Sequence, residues 1–127
     1  MTVIDDELRA SRLAVTATGI AGAAVTLTLP AAGAGLFHYI TFIRIAKFAT
    51  ALLTAGATPV VVTSTNLPGG VAWSFSAGAE AAGTQVEIAS SPTTPLVSSA
   101  ANTATTIVCP ATASIIWRVS VYYFAVV

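Results

Sequence analysis

The stretch LFHYITFIRIAKFAT, residues 36–50, constrains the fold more than any other part of the chain. It is long and apolar, yet His38, Arg44 and Lys47 interrupt it, so it is compatible with a membrane span, an amphipathic helix or a strand. A span would bury Arg44 and Lys47 near its centre at about 2.5 to 3.5 kcal/mol each, whereas each flanking aliphatic residue returns only about 0.3 to 0.6 kcal/mol. A membrane span is therefore disfavoured.

The residue types of this stretch favour a strand. Ile, Thr, Phe and Tyr dominate it, and these side chains pack well on a pleated surface. A strict period of two gives one face with Phe37, Tyr39, Thr41, Ile43, Ile45 and Lys47, and an opposite face with His38, Ile40, Phe42, Arg44, Ala46 and Phe48. Neither face is polar. We therefore expect a second sheet on one side of this strand and a neighbouring subunit on the other.

The rest of the chain also has the pattern of short strands. AVTLTLP (24–30) alternates apolar residues with Thr, and VVVTSTN (60–66) is rich in β-branched residues. SIIWRVSVYYFAVV (114–127) is a second long run with two apolar faces, and turns such as LPGG (67–70) separate the runs. Eight or nine such strands predict an all-β fold, a single-domain antiparallel β-sandwich of the jelly-roll type.

The predicted sandwich occupies residues 13–127 and follows a short N-terminal arm, residues 1–12. The arm contains DDELRASR, which is compatible with a short helix capped by Asp5 or with an extended segment. It is acidic before it is basic and lacks the cationic and apolar regions of a signal peptide. The single Cys109 excludes an internal disulfide framework, so we expect the protein to be made and folded in a reducing cytoplasm.

Charge is scarce in this chain. Only 8% of the residues are charged, against about 25% in an ordinary soluble domain, and the formal net charge is zero. A neutral chain has no field that attracts DNA, RNA or an anionic membrane, so neither nucleic acid nor membrane is expected as a partner. Few surface charges also protect poorly against association. We therefore expect much of the surface to face other protein.

The sequence contains no constellation of reactive residues. His38 is expected to be buried or interfacial, and Cys109 to be a small buried hydrophobe. The two acidic residues of the body, Glu80 and Glu87, are interpreted as solvated charges because no spacing typical of a metal site surrounds them. No loop has the context of a phosphate-binding motif. The sequence therefore predicts a protein without enzymatic activity, cofactor or metal.

Charged and aromatic residues on the long strands and in the arm are the candidates for an interface. Trp and Tyr are enriched at interfaces, and an arginine in mid-strand needs an acceptor on a neighbour when it is buried. The aromatics are also compatible with a sugar-binding platform, but core and subunit packing is the better interpretation in so apolar a chain. The candidates are Asp5, Asp6, Glu7, Arg9, Arg12, Tyr39, Arg44, Lys47, Trp73, Trp117, Arg118 and Tyr122.

The segments FHYITFIRIAKFATALLTAGATPVVVTSTNLPGGVAWSF and SSAANTATTIVCPATASIIWRVSVYYF resemble small virion structural proteins of tailed bacteriophages, of the capsid decoration (cement) type. The resemblance covers about residues 20–127. It rests on phrases such as TPVVVTSTNLPG and IIWRVSVYYF, and it transfers no binding residue. It implies a β-sandwich that oligomerises, often as a homotrimer, and binds the major capsid protein at the capsid surface. The protein would be made in the host cytoplasm.

Two other functions stay open at this point. One keeps the virion but places the protein in the tail, the baseplate or a head fibre, as an adaptor or receptor-binding module. The other is a β-sandwich carbohydrate-binding domain with an aromatic platform drawn from Trp73, Trp117, Tyr39, Tyr122 and Tyr123.

Overall fold

The computed structural model describes residues 12–127. The predictions on the N-terminal arm, including Asp5, Asp6, Glu7 and Arg9, lie outside the described residues. The described part of the chain holds nine strands: β1 (Leu13–Thr18), β2 (Val25–Leu29), β3 (Phe37–Ala49), β4 (Val60–Thr65), β5 (Trp73–Phe75), β6 (Gln85–Ser90), β7 (Leu96–Val97), β8 (Thr105–Cys109) and β9 (Ile115–Val126). A short 3₁₀ turn lies at Pro68–Gly70. Within residues 12–127, no helix has the length and apolar character needed to cross a bilayer.

The strands form two antiparallel sheets that pack face to face, which confirms the predicted all-β sandwich. One sheet has five strands, in the order β1-β9-β3-β6 with β7 also pairing with β3, and the other has the order β2-β8-β4-β5. The first strand pairs with the last, β2 with β8, β3 with β6 and β7, and β4 with β5. This is the pairing of one long hairpin wrapped into two sheets, which is the jelly-roll arrangement.

The core lies between the two sheets and is built from alternate residues of each strand. In β2, Val25, Leu27 and Leu29 are buried while the intervening threonines are exposed, as the alternation of AVTLTLP predicts. The fully buried Trp117 of β9 packs edge-on against Phe75, with ring centroids 5.4 Å apart. Its indole N–H donates to the carbonyl of Pro110 at 2.9 Å. The buried tryptophan thus has both an aromatic neighbour and a partner for its polar group.

A β-bulge interrupts the alternation of β3, so the strict period of two predicted for the stretch 36–50 is wrong. The register of β3 against β9 shifts between Ile40 and Phe42. Before the shift the buried residues are His38 and Ile40, and after it they include Ile43, Ile45 and Lys47. One extra residue, Thr41, exchanges the two faces because side chains alternate with a period of two. The face predicted to carry Tyr39 together with Lys47 therefore does not exist.

A buried polar network around His38, which is 1% exposed, links β3 to the four-stranded sheet. The ring nitrogen Nε2 lies 2.8 Å from the carbonyl oxygen of Pro30, and Nδ1 lies 2.7 Å from the hydroxyl of Thr105. A carbonyl only accepts, so Nε2 carries the proton and Nδ1 accepts from Thr105. The Asn66 amide donates to the same hydroxyl at 3.1 Å. Both ring nitrogens of the histidine are therefore occupied by structural hydrogen bonds.

Candidate protein-binding face

The outward surface of the five-stranded sheet gathers the charged and aromatic residues of its long strands. The register places Arg118 beside Ala46, Ser120 beside Arg44, and Tyr122 beside Phe42. We call this surface the arginine face, and its residues are Arg12, Phe42, Arg44, Phe48, Ile116, Arg118, Ser120 and Tyr122. It is the second side of the stretch 36–50, the side for which the sequence predicts a protein neighbour.

One end of the arginine face is aromatic. The rings of Phe42 and Tyr122 lie 5.6 Å apart at an interplanar angle of 32°, and Tyr122 is 39% exposed. The guanidinium of Arg12 lies 4.7 Å from the centroid of the Tyr122 ring. A cation over a ring face is attracted by the ring quadrupole, so Arg12 and Tyr122 hold each other in place on the surface. Aromatic and arginine side chains are those that most often anchor protein interfaces.

The other end of the arginine face contains a depression of about 330 Å³. Its lining combines apolar side chains, among them Phe48 and Ile116, with the polar Arg44, Arg118 and Ser120. Protein-binding patches usually combine apolar and polar side chains in this way. A depression of this size can receive side chains of another protein.

The arginines of this face differ in their charge partners. Arg44 donates through Nε to Glu87 at 3.1 Å and through a second nitrogen to the other carboxylate oxygen. These hydrogen bonds lower the pKa of Glu87 and raise the pKa of Arg44. Within residues 12–127, neither Arg12 nor Arg118 forms an ion pair with a carboxylate. Both are exposed, and no acidic side chain of the described residues compensates their positive charge.

The remaining sequence candidates lie elsewhere. Tyr39 is 37% exposed on the same side of the sheet but beyond the bulge, beside Phe124. Trp73 is half-buried on β5 and packs against the core. Trp117 and Lys47 are buried inside the sandwich, at 0% and 1% exposure. The structure thus leaves these two buried residues out of any surface. The candidates that it brings together are Arg12, Arg44, Arg118 and Tyr122.

Lys47 forms a buried ion pair at the loop end of the sandwich. Its ammonium donates to Glu80 Oε1 at 2.9 Å and to the carbonyl of Ser76 at 3.1 Å. The lysine borders a cavity of about 380 Å³ between the loops that follow β3, β5 and β8. The other carboxylate oxygen, Glu80 Oε2, is buried without a hydrogen-bond partner in the described part of the chain. Glu80 is therefore a partner of a buried cation rather than the solvated charge expected from the sequence.

Three apolar residues of the arginine face were not among the sequence candidates: Phe42, Phe48 and Ile116. The sequence feature that could have identified them is their position in the two longest strands. Once the bulge in β3 is known, alternation places all three on the outward side of the sheet. Glu87 was missed as the partner of Arg44 because the pair is 43 residues apart in the chain. The two side chains meet only because β3 pairs with β6.

The residues with reactive side chains do not cluster. Among residues 12–127, no group of three or more His, Cys, Asp or Glu could hold a metal ion. Cys109 is buried, and burial raises the pKa of its thiol to about 12. At neutral pH this thiol is protonated and is a poor nucleophile.

Comparison with family models, curated proteins and solved structures finds no match for this chain. Its function is therefore inferred from the fold and from the arginine face.

Proposed function

We propose that this protein is a non-enzymatic structural protein of a tailed-bacteriophage virion. In this proposal it is a capsid decoration (cement) protein that self-associates, as a homotrimer, and bridges major capsid subunits at the capsid surface. Its partners are the major capsid protein and further copies of itself, and its action is mechanical.

The observation that carries the proposal is the arginine face. Arg12 and Arg118 have no carboxylate partner among residues 12–127, and they flank the exposed Tyr122 and the partly exposed Phe42, Phe48 and Ile116. A monomer gains little from displaying such side chains to water, whereas a partner surface that covers them gains apolar contact and charge-assisted hydrogen bonds.

The fold and the composition support the same proposal. Jelly rolls are the building blocks of many viral capsid proteins, although they also form lectin domains. The low charge of the chain, 8% of its residues, suits a protein whose surface is covered in an assembly. The resemblance to phage decoration proteins indicates the kind of assembly.

The proposed mechanism requires each copy to bury a patch on its neighbours. A specific interface buries about 1,200 to 2,000 Å² in total, and aromatic and arginine anchors contribute most of its free energy. Because many copies bind one shell, weak single contacts add up to strong binding through multivalency. The shell is then harder to open because its subunits are tied to one another.

The direct test is binding to purified capsids that lack this protein. We expect the wild type to co-sediment with the shells and to raise their disassembly temperature. The double variant Arg118→Glu with Tyr122→Ser is expected to lose most of this binding, because it reverses one charge and removes the aromatic anchor. Thr26→Glu is the matched control, because Thr26 is exposed on the outward side of the other sheet.

The outcomes separate the proposal from its alternatives. A folded wild-type protein that ignores capsids contradicts a decoration role. An electron-microscopy map that places the protein in the tail, the baseplate or a head fibre favours the adaptor function instead. The carbohydrate-binding alternative keeps only the exposed Tyr39 and Tyr122 as platform residues, because Trp117 is fully buried and Trp73 packs against the core, and a glycan array tests it.

A further inference from the structure

The charges of the chain divide into two complementary groups. Residues 12–127 contain four cationic and two acidic side chains, a net charge of +2. Lys47 pairs with Glu80 and Arg44 with Glu87, so this excess comes from Arg12 and Arg118.

The opposite excess lies in the residues before β1. Residues 1–11 contain Asp5, Asp6, Glu7 and Arg9, a net charge of −2 that makes the whole chain neutral. The positive excess of the sandwich therefore lies on the arginine face, and the negative excess lies in the eleven residues that precede it.

The two arginines without a carboxylate partner in the described part of the chain mark the ends of one surface. Arg12 lies over Tyr122, and Arg118 precedes Tyr122 by four residues on β9, which is about 14 Å along a strand. The depression with Phe48 and Ile116 lies at the Arg118 end. A segment that combines carboxylates with apolar side chains would match both the charge and the shape of this surface.

We propose that the arginine face binds the acidic segment of residues 5–7 of a second copy of this chain, with its carboxylates on Arg118. The segment VIDDEL, residues 3–8, has three acids between apolar residues, which suits a cationic surface whose depression has both polar and apolar lining residues. The planar guanidinium donates two parallel hydrogen bonds to a carboxylate, so Arg118 supplies direction as well as charge.

The direction of β1 favours a second copy over the same chain. β1 begins beside Tyr123 and ends with Thr18 beside Arg118. Residues 5–7 precede the start of this strand, so they would have to reverse direction to reach Arg118 of their own chain. A second copy is free of this constraint, because its own β1 does not pair with the β9 that carries the receiving Arg118. Each copy then both gives and receives a segment, and the assembly is made of identical exchanges.

This inference concerns self-association and holds whether or not the protein binds capsids, so its failure and that of the proposed function are separately visible. The first variant is Arg118→Glu and the second is the pair Asp5→Lys with Asp6→Lys. Each is expected to raise the dissociation constant of the oligomer about tenfold or more, because each places like charges in contact. Sedimentation velocity at low salt over a range of concentrations measures this directly.

Mixing the two variants is the decisive arm of the experiment. The carboxylate introduced at position 118 of the first variant would face the lysines introduced in the second. The unchanged Arg118 of the second variant would face the unchanged acids of the first. We therefore expect the two variants to associate with each other, and the mixture to have a higher mass than either variant alone at the same total concentration.

Thr26→Glu is the matched control, since it introduces a carboxylate on the outward side of the other sheet and leaves the arginine face unchanged. Its mass is expected to equal that of the wild type. Association that weakens as salt rises from about 0.05 M to about 0.5 M also supports the inference, because screening grows over this range.

Four results would overturn the inference. The first is a wild-type protein that is monomeric at all concentrations, and the second is an unchanged mass in both folded variants. The third is a mixture that stays dissociated while each variant keeps the circular dichroism of the wild type. The fourth is a folded triple variant that carries all three substitutions and stays monomeric, because matched charges on every copy should restore the exchange.

Discussion

Lys47 places a charged group inside the sandwich. The residue is 1% exposed, and its ammonium has Glu80 and the carbonyl of Ser76 as hydrogen-bond partners. Such a pair contributes little net stability when it forms, because both ions lose their hydration. Removing one partner destabilises the folded state strongly, because the other charge is left buried without a counter-charge.

We predict that Lys47→Met lowers the free energy of unfolding by about 3 to 5 kcal/mol, because the Glu80 carboxylate loses its cation in a buried site. Urea denaturation at pH 7 measures the change. The double variant Lys47→Met with Glu80→Gln serves as the control, and we expect it to recover part of the loss because no charge is then left unpaired. A single variant as stable as the wild type would contradict the role assigned to the pair.

Cys109 gives a second prediction, on pH. Burial raises the pKa of its thiol from 9.0 to about 12, so the folded state holds it protonated over a range in which the unfolded state ionises it. Its contribution to stability is therefore complete below about pH 9 and is lost as the pH rises from about 9 towards 12. We expect the free energy of unfolding to fall over this range.

The comparison with Cys109→Ala isolates the thiol. Burial also raises the pKa of Tyr123, so its contribution to stability also falls at high pH, and part of the alkaline slope remains in the variant. The difference in slope between the two proteins belongs to Cys109. Equal slopes would show that the thiol does not titrate differently in the folded and unfolded states.

Among the strands, β3 is the element on which the arrangement depends. It pairs with β9 on one side and with β6 and β7 on the other, and its bulge lets one strand bury His38 and Lys47 in the same core. Without the extra residue, the two halves of the strand would direct their apolar residues to opposite sides of the sheet. The bulge is therefore the reason why the arginine face and the core are both well formed.

We predict that deleting Thr41 prevents cooperative folding, because one half of β3 must then turn its buried residues outward. Far-UV circular dichroism with thermal unfolding measures this. Thr41→Ala keeps the bulge and removes only the hydrogen bond from the hydroxyl to the Tyr122 carbonyl, at 3.2 Å. This control is expected to lose about 1 kcal/mol of unfolding free energy. A deletion variant that unfolds like the wild type would refute the argument.

Strands and turns were predictable from the sequence, whereas their lateral contacts were not. The alternation in β2 and the β-branched run in β4 locate those strands to within a residue or two. The bulge was not visible because Thr41 has ordinary strand chemistry. The burial of Lys47 was not visible either, because its carboxylate partner lies 33 residues away in the chain. Arg12 and Tyr122 were both predicted as candidates, but their contact required the pairing of β1 with β9.

For the whole molecule, the wrapped hairpin topology has a kinetic consequence. The pairing of β1 with β9 joins Leu13 to Tyr123, and β2 pairs with β8 across most of the chain. Contacts of such long range must overcome a large loop-closure entropy before they add stability. Sandwiches with this character fold slowly for their size.

We predict refolding phases on the order of milliseconds to seconds rather than microseconds. Stopped-flow fluorescence of Trp117 is a suitable probe, since its indole is fully buried in the native state. The variant Trp73→Phe leaves that probe alone and removes the half-buried tryptophan of β5. Complete refolding within the dead time of the instrument would contradict this prediction.

The pairing of the first and last strands also determines the side of the molecule on which a fused protein would lie. Leu13 lies beside Tyr123, and Phe37 beside Val126, so both ends of the described chain meet at one edge of the sandwich. Ile115 and the Lys47 cavity lie at the opposite end of β9, about 35 Å away. Cargo fused to Val127 would therefore project from one pole of the molecule and leave the loops of the other pole unobstructed.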